Sequence, residues 1–553
     1  MWSVAHPSPR ATYDAQVTAT DPDVPHRDLD DSVADSAEIE AHREQVRRRL
    51  LPPPPTDRRA GWIGALAVTA LAGFLRFWNL GQPRVFVFDE TYYAKDAYAL
   101  LQYGHEQDYV KNADEKILKG DLDVFADSAS YVVHPPLGKW VIATGEQLFG
   151  MNPFGWRVAV AVLGTLSVLL LARLVRRMTG STVLGTIAGF LLAIDGLHIV
   201  MSRTALLDLP LSFFLLAAFG ALVLDREHGR RRAAARLASF EGSSLGPGLG
   251  FRPWRIAAGV LLGAALATKW NAIFFVAAFG LLTVWWDVSA RRVAGARSPW
   301  LGSLSRDALP AFVSIVPTAL ITYLATWAGW FASSGGYYRT WAAENPSTHY
   351  GWVPGPLRSL WHYHADALSF HTGLSSDHPY QSHPWSWLVQ GRPVSFYYEE
   401  YGLGERGCEV ERCAREVLAV GNPIIWWSTA AALLVMVWLV ISRRDWRAGA
   451  VLAALAAGWL PWFWYADHND RTMFSFYAVS FLPFLVMAVT MCLGFILGPS
   501  TASPRRRTVG ATAVGAFLLL ATLAAIAMAP LWLAEVLPYD DWLDRLFGIQ
   551  SWI

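Results

Sequence analysis

Apolar runs of about 17–25 residues, long enough to cross a bilayer, recur along the chain between arginine-rich breaks. The first covers 61–78, and 157–175, 182–201 and 206–224 follow. Runs 256–267 and 272–286 form a pair broken at Lys269-Trp270-Asn271, and 309–331 comes next. Four more occupy 424–441, 449–464, 474–497 and 509–533. The pattern predicts an all-α integral membrane protein with about eleven transmembrane helices. Residues 137–149 form a weaker, amphipathic run that predicts an interfacial helix.

Four regions follow from this spacing. Residues 1–59 are polar and rich in Pro, Asp and Arg, and end in Arg47-Arg48-Arg49 and Pro52–Pro55. They lack an early apolar core and are expected to be a disordered cytoplasmic tail rather than a signal peptide. Residues 60–331 make an N-terminal membrane half with a long first outer loop at 80–136. A long extracytoplasmic loop at 332–422 leads to a C-terminal four-span region at 423–553. With these spans, the clusters Arg47–Arg49, Arg176–Arg177, Arg230–Arg232, Arg291–Arg292, Arg443–Arg444 and Arg505–Arg507 all fall on one side. The positive-inside rule makes that side the cytoplasm. The N-terminus is then inside the cell membrane, and the loops carrying Asp89, Arg203 and Arg471 face outward.

Composition agrees. Of 553 residues, 53% are hydrophobic and 16% charged, with a mean hydropathy of +0.27. That is too few charges for a soluble protein of this size. A formal charge of +1 gives no reason to expect a nucleic-acid partner. The 27 tryptophans suit bilayer interfaces. Cys408 and Cys413 lie in a polar loop and could bridge if it is extracytoplasmic; the sequence leaves them free or bridged equally.

The chemistry gathers at the outer segment ends. Asp89 and Glu90 stand in Phe-Asp-Glu-Thr-Tyr-Tyr beyond the first run. A carboxylate beside a lipid phase is costly unless matched, so a base held at the membrane surface is the functional reading. The plainer reading of Asp89 is a helix cap or an ion pair with Arg84. His134-Pro135-Pro136 breaks the chain before the amphipathic run. Lys139 then sits at headgroup level, either as a snorkelling anchor or as a phosphate ligand. Ser202-Arg203 and Asp208 join two spans without a proper loop. The planar donor fork of Arg203 suits phosphate, the alternative being a private pair with Asp208. Arg157 and Lys269 open spans from outside, as anchors or as ligands. Arg471 follows Asp467-His468-Asn469-Asp470, where a metal cluster of Asp467, His468 and Asp470 is conceivable, though short acidic turns are usually solvated. The long loop holds His362, His364, His371, His378 and His383 among aromatics that include Tyr380, Trp385 and Tyr397. No i, i+4 zinc pair is present there. Its rings could stack on sugars, grip a peptide, or simply pack the loop onto the membrane.

Five of these elements, in order, resemble the protein O-mannosyltransferase family, polyprenyl-phosphate-mannose-dependent enzymes with the GT-C membrane fold. They are Phe88-Asp89-Glu90, His134-Pro135-Pro136-Leu137-Gly138-Lys139, Ser202-Arg203 through Leu207-Asp208, His378-Pro379-Tyr380 with Arg392-Pro393 and Tyr397-Tyr398-Glu399, and Arg471 through Tyr477. The Ala- and Arg-rich composition and basic tail fit an actinobacterial member. One departure is the long outer loop, which is too short for the folded β-rich domain of eukaryotic members. The resemblance implies inverting transfer of mannose from polyprenyl-phosphate-mannose to Ser or Thr hydroxyls of exported proteins. Asp89 would be the base, with Glu90 orienting acceptor or sugar. Arg203, Lys139 and Arg471, with His134 and Arg157 behind them, would hold the donor phosphate. Asp208, Tyr380, Trp385 and Tyr397 would contact sugar or acceptor. No cofactor beyond the donor lipid is implied, and no metal ligand set is assigned. The partners implied are the lipid donor and the exported protein, with the secretion translocon as a further candidate. A related enzyme acting on a lipid or cell-wall glycan shares most of these features. A secondary transporter would need an internal inverted repeat and acids at mid-span, which the sequence lacks.

Overall fold

A computed structural model describes residues 29–52, 55–237, 243–469, 471–499 and 501–553. Among them, eight helices are long and apolar enough to cross a membrane: Arg58–Phe77, Pro153–Thr179, Asp208–Ala235, Ala272–Val293, Pro299–Thr326, Pro423–Arg443, Trp446–Asn469 and Pro504–Leu533. The expected run 182–201 is a bent pair, Thr182–Ala193 and Gly196–Arg203, turning by 60°. Two shorter apolar helices, Pro253–Leu266 and Leu482–Leu497, take the remaining expected positions. Each of the about eleven apolar runs therefore appears as helix, but not each as a full straight span.

Local signals set the boundaries. Asn152 caps helix Pro153–Thr179, accepting from the Phe154 and Gly155 amides at 3.1 and 3.0 Å, with proline at the first helical position. The helix stops at Gly180, which is left-handed. Asp195 causes the bend: its carboxylate caps the second helix through the His198 amide at 3.1 Å. It also accepts from the Asn422 amide at 3.2 Å and the Trp426 indole at 2.8 Å. A buried acid at a helix break thus ties the N-terminal half to the start of the C-terminal region.

Two polar segments carry structure of their own. Within the tail expected to be disordered, Leu29–Leu50 is helical. Its Val46 and Leu50 are buried against Ala233, Ala234, Leu237 and Ala294, so apolar contact holds its last turn to the membrane body. Residues 1–28 lie outside the described residues. The long loop is also structured. It contains helix Gly355–Gly373 and an antiparallel hairpin, Val394–Gly402 with Arg412–Ala419. Strand Val536–Pro538 adds to that hairpin from the chain's end. Cys408 and Cys413 form a disulfide at its tip.

The first outer loop folds as helix Glu90–Tyr103, a short strand pair of Gln107–Tyr109 and Phe125–Ala129, and the expected amphipathic helix Leu137–Phe149. On the opposite face Arg252 and Arg255 bind Asp225 at 2.7 and 3.1 Å and Asp287 at 3.0 and 2.7 Å, all buried. This four-residue network clamps the start of helix Pro253–Leu266 to helices Asp208–Ala235 and Ala272–Val293 there.

Candidate active site

Asp89 is aimed by its neighbours. Phe88 lies in the left-handed region at φ 51°, unusual for a bulky residue. Its ring stacks on Phe396 at 4.6 Å and meets the edge of Phe476 at 5.7 Å. These contacts hold the turn, and helix Glu90–Tyr103 starts immediately after it. The Asp89 carbonyl accepts from the Tyr92 and Tyr93 amides at 3.0 and 3.1 Å, while its side chain makes no capping bond. Arg84 is exposed and makes no ion pair with Asp89. The carboxylate is therefore neither a cap nor half of a surface pair. Burial raises its pKa to about 6, with Lys269 drawing it down and Asp208 pushing it up.

Glu90, one residue on, has the opposite environment. It is fully buried, and Arg157 binds both its oxygens, Nε to Oε1 at 2.8 Å and Nη2 to Oε2 at 2.7 Å. The Val87 and Ala205 amides also donate to it, each at 2.9 Å. Arg157 gives its other protons to the carbonyls of Leu80, Pro83 and Val85 at 3.2, 3.1 and 2.9 Å. The pair staples the outer loop to two spans. Neither residue is left free for a reactant, which corrects the roles expected for both.

The expected phosphate cations divide in the same way. Arg203 donates to the carbonyls of Leu75, Arg76, Trp78 and Asn79 at 2.6–3.3 Å. It thereby satisfies the orphan carbonyls that end the first span, and it does not pair with Asp208. Lys139 is buried against Glu106, with Asp96 at 3.9 Å. Its side chain turns inward into the folded loop rather than outward to the headgroups. Both are structural cations here, contrary to expectation.

Lys269 takes the position the sequence leaves open. It stands at the break between helices Pro253–Leu266 and Ala272–Val293. Its ammonium binds both oxygens of Asp208, at 2.8 and 3.0 Å, and lies 4.6 Å from the centre of the Tyr477 ring. Asp208 is thus a partner for Lys269 rather than a sugar ligand.

Lys269 also lines a cavity of about 530 Å³. His134, Asn271, His371 and Arg471 share its polar end. Leu266, Ile273, Phe274, Leu320 and Leu368 form an apolar wall. Three buried polar atoms here, His134 Nδ1, His371 Nδ1 and Asn271 Oδ1, have no partner among the described residues. Arg471 donates one proton to the His371 carbonyl. Burial, with Lys269, His371, Lys139 and Arg471 nearby, holds His134 well below the ordinary histidine range, so it is neutral. Cations and unpaired polar atoms at one end and an apolar wall at the other fit an amphiphile with an anionic head. Lys269 links the two features, since it lines the cavity and its charge acts on Asp89.

The expected acceptor residues do not line this cavity. Tyr380 lies under the Arg392 guanidinium, 5.0 Å away. Trp385 is 63% exposed on the outer surface. The Tyr397 hydroxyl binds Glu399 and, at 2.9 Å, Tyr401. Trp270, Tyr323, Trp361 and Tyr465 supply the aromatic lining instead. Of the loop histidines, His371 packs 5.2 Å from His134, and His364 stacks on Trp270 at 5.4 Å. His362 stacks on Trp341 at 4.0 Å. His383 faces Asp467 at 3.4 Å on the surface. The conceivable metal cluster includes Asp470, which lies outside the described residues. Lys269 was visible as a charge breaking an apolar pair; His371 and Asn271 had no separate signal.

Comparison with known proteins gives the family and the fold. Residues 66–291 match the family described as dolichyl-phosphate-mannose-protein mannosyltransferase. Residues 356–545 match the C-terminal four-transmembrane region of protein O-mannosyltransferases. The polyprenol-phosphate-mannose–protein mannosyltransferase of Mycobacterium tuberculosis is 40% identical over 513 residues, 90% of this chain and 92% of that protein. The protein of the same name from Corynebacterium glutamicum is 34% identical over 88% of this chain and 91% of its own length. The fold is similar to that of the Saccharomyces cerevisiae protein O-mannosyltransferase Pmt1-Pmt2 complex bound to its sugar donor. The TM-score is 0.67 at 14% identity, covering 92% of this chain and 95% of that one. In sequence over most of its length, and in the GT-C arrangement of its helices, the chain belongs to the protein O-mannosyltransferase family.

Proposed function

We propose that the protein transfers mannose from polyprenyl-phosphate-mannose to Ser or Thr hydroxyls of exported proteins, at the extracytoplasmic face of the cell membrane. Family membership supports the reaction class. The observation that carries the site assignment is the Asp89 carboxylate, which makes no capping bond and feels the charge of Lys269 at the polar end of an amphiphile-shaped cavity.

In this reading the prenyl chain lies along Leu266, Phe274 and Leu320, and the phosphate meets Lys269 and Arg471. Asp89 takes the acceptor proton as the hydroxyl attacks the anomeric carbon from the face opposite the phosphate. The C–O bond to phosphate breaks, the new glycosidic bond forms, and the anomeric centre inverts. The leaving group is a phosphate monoester that already carries charge, so fixed cations rather than a general acid assist its departure. No cofactor takes part in this scheme. His134, His371 and Asn271 offer unpaired polar atoms to the sugar hydroxyls. The acceptor reaches Asp89 as an extended chain, which suits a protein emerging from the secretion translocon.

The test is transfer from radiolabelled polyprenyl-phosphate-mannose to a Ser/Thr-rich peptide. Asp89→Ala should abolish transfer while leaving the protein inserted, and Asp89→Asn should retain donor binding. Turnover in both variants would overturn the assignment of the base.

A further inference from the structure

A second cavity, of about 490 Å³, lies far from the first. Helix Trp446–Asn469 begins at this cavity and ends beside Arg471, so about 36 Å of helix separates the two sites. Its walls are Trp438, Leu439 and Phe495, and its rim is Arg443, Asp445 and Arg447. Trp438 and Phe495 meet edge-on at 5.6 Å, which closes the apolar side. Leu434 and Ile441, on the same helix as Trp438, are 73% and 74% exposed, as lipid-facing residues should be. The cavity therefore opens where a bilayer's apolar core meets its headgroups.

Charge around it is unbalanced. Arg226 stacks on Trp446 at 3.6 Å, is nine-tenths buried, and its Nε has no partner. Arg443 makes one contact, over the Trp438 ring at 5.7 Å, and Arg444 at the exposed turn makes no ion pair among the described residues. Arg506 caps the helix end at Phe495 and Ile496. Against these stand Asp445, already bound by Arg447 at 2.5 Å, and Glu227, bound by Arg177. Nothing among the described residues neutralises the remaining guanidinium groups. Stacked guanidinium groups beside an indole make a strong, geometrically defined phosphate site.

We propose that this pocket holds the headgroup phosphate of an anionic glycerophospholipid in the leaflet opposite the active cavity. Arg443 meets the phosphate at the rim, where Arg447 stays paired with Asp445, and Trp438, Leu439 and Phe495 pack on the glycerol and first acyl carbons. A free phosphate ion would use the arginines but would leave the apolar wall uncovered. The inference rests on the membrane orientation of the helices and needs no mannosyl transfer.

The test uses the full chain in detergent with a defined mixture of phosphatidylcholine and phosphatidylglycerol, and counts retained lipids by native mass spectrometry. Wild type should keep one phosphatidylglycerol through delipidation. Arg443→Gln, at an exposed position that leaves the fold intact, should lower retention about fivefold. Arg292→Gln, an exposed arginine on the same side, should behave as wild type. Equal retention in wild type and Arg443→Gln would overturn the proposal. So would displacement of the lipid by inorganic phosphate at equal concentration, which would mark an ion site. Because the readout is lipid retention, its failure is separate from any failure of transfer.

Discussion

Glu90 and Arg157 form a two-point ion pair with both partners essentially out of solvent, at 2.7 and 2.8 Å, one residue away from the carboxylate assigned as base. The arrangement explains how a reactive acid is held at a membrane rim. Glu90 satisfies the Ala205 amide and pins the start of the Asp89 helix to the second span. Removing one partner leaves the other buried and unpaired, which costs about 3–5 kcal/mol. Glu90→Ala and Arg157→Ala should therefore each lower the thermal unfolding midpoint in detergent and reduce the yield of folded protein. Lost transfer with an unchanged midpoint would return Glu90 to the reacting groups.

The pH profile should report Asp89. A base must be ionised, and burial places its pKa at about 6. Acceptor kcat/KM should thus be flat above that value and fall about tenfold per pH unit below it. Asp208 pushes this pKa up and Lys269 draws it down. Asp208→Asn removes the first effect and frees the Lys269 charge, so both changes move the acid limb to lower pH. An unmoved limb would show that another group sets it.

Lys269 and Lys139 should separate by what they lose. Both are in buried ion pairs, Lys269 with Asp208 and Lys139 with Glu106, but Lys269 also lines the cavity. Lys269→Met should lower kcat/KM by about 10²–10³, the scale for losing one preorganised charge in the transition state. Lys139→Met should act mainly on stability, because it strands two buried acids. Thermal unfolding and single-turnover transfer, measured on both variants, distinguish the two. Lys269→Met, which strands Asp208, should also lose some stability, so an equal loss of single-turnover transfer in the folded fraction of both variants would contradict the division.

Much of this was legible because membrane physics writes itself into sequence. Apolar length and arginine position located the apolar helical segments, and Pro135-Pro136 located the amphipathic helix, whereas the polar helices Leu29–Leu50, Glu90–Tyr103 and Gly355–Gly373 gave no such signal. The bend at Asp195 was hidden, since a single acid satisfied by Asn422 and Trp426 looks like a tolerated polar residue until the distant partners are known. The site shows the same boundary. Asp89 stood out by chemistry, but the roles of Arg203, Lys139 and Arg157 depended on whether nearby carbonyls and acids already bound them. Residue type and spacing do not encode that. Lys269 appeared only as a charge interrupting an apolar pair, and its bond to Asp208 spans 61 positions.

The hairpin disulfide gives a prediction independent of catalysis. Cys408 and Cys413 close a loop of few residues at the tip of strands Val394–Gly402 and Arg412–Ala419. Chain-entropy reasoning assigns such a short loop about 2 kcal/mol. The hairpin's root is held separately, by Phe396 against Phe88, whereas the third strand Val536–Pro538 pairs with Cys413–Arg415 beside the disulfide. Cys408→Ser with Cys413→Ser should therefore lower the unfolding midpoint modestly and leave kcat nearly unchanged, because Phe88 keeps its stacking partner. Phe396→Ala leaves the disulfide intact but removes that partner. It should lower kcat more than the double cysteine variant does. Transfer assays and unfolding midpoints on the two variants decide the matter; the reverse ranking would mean that the hairpin tip, and not its root, aligns Asp89.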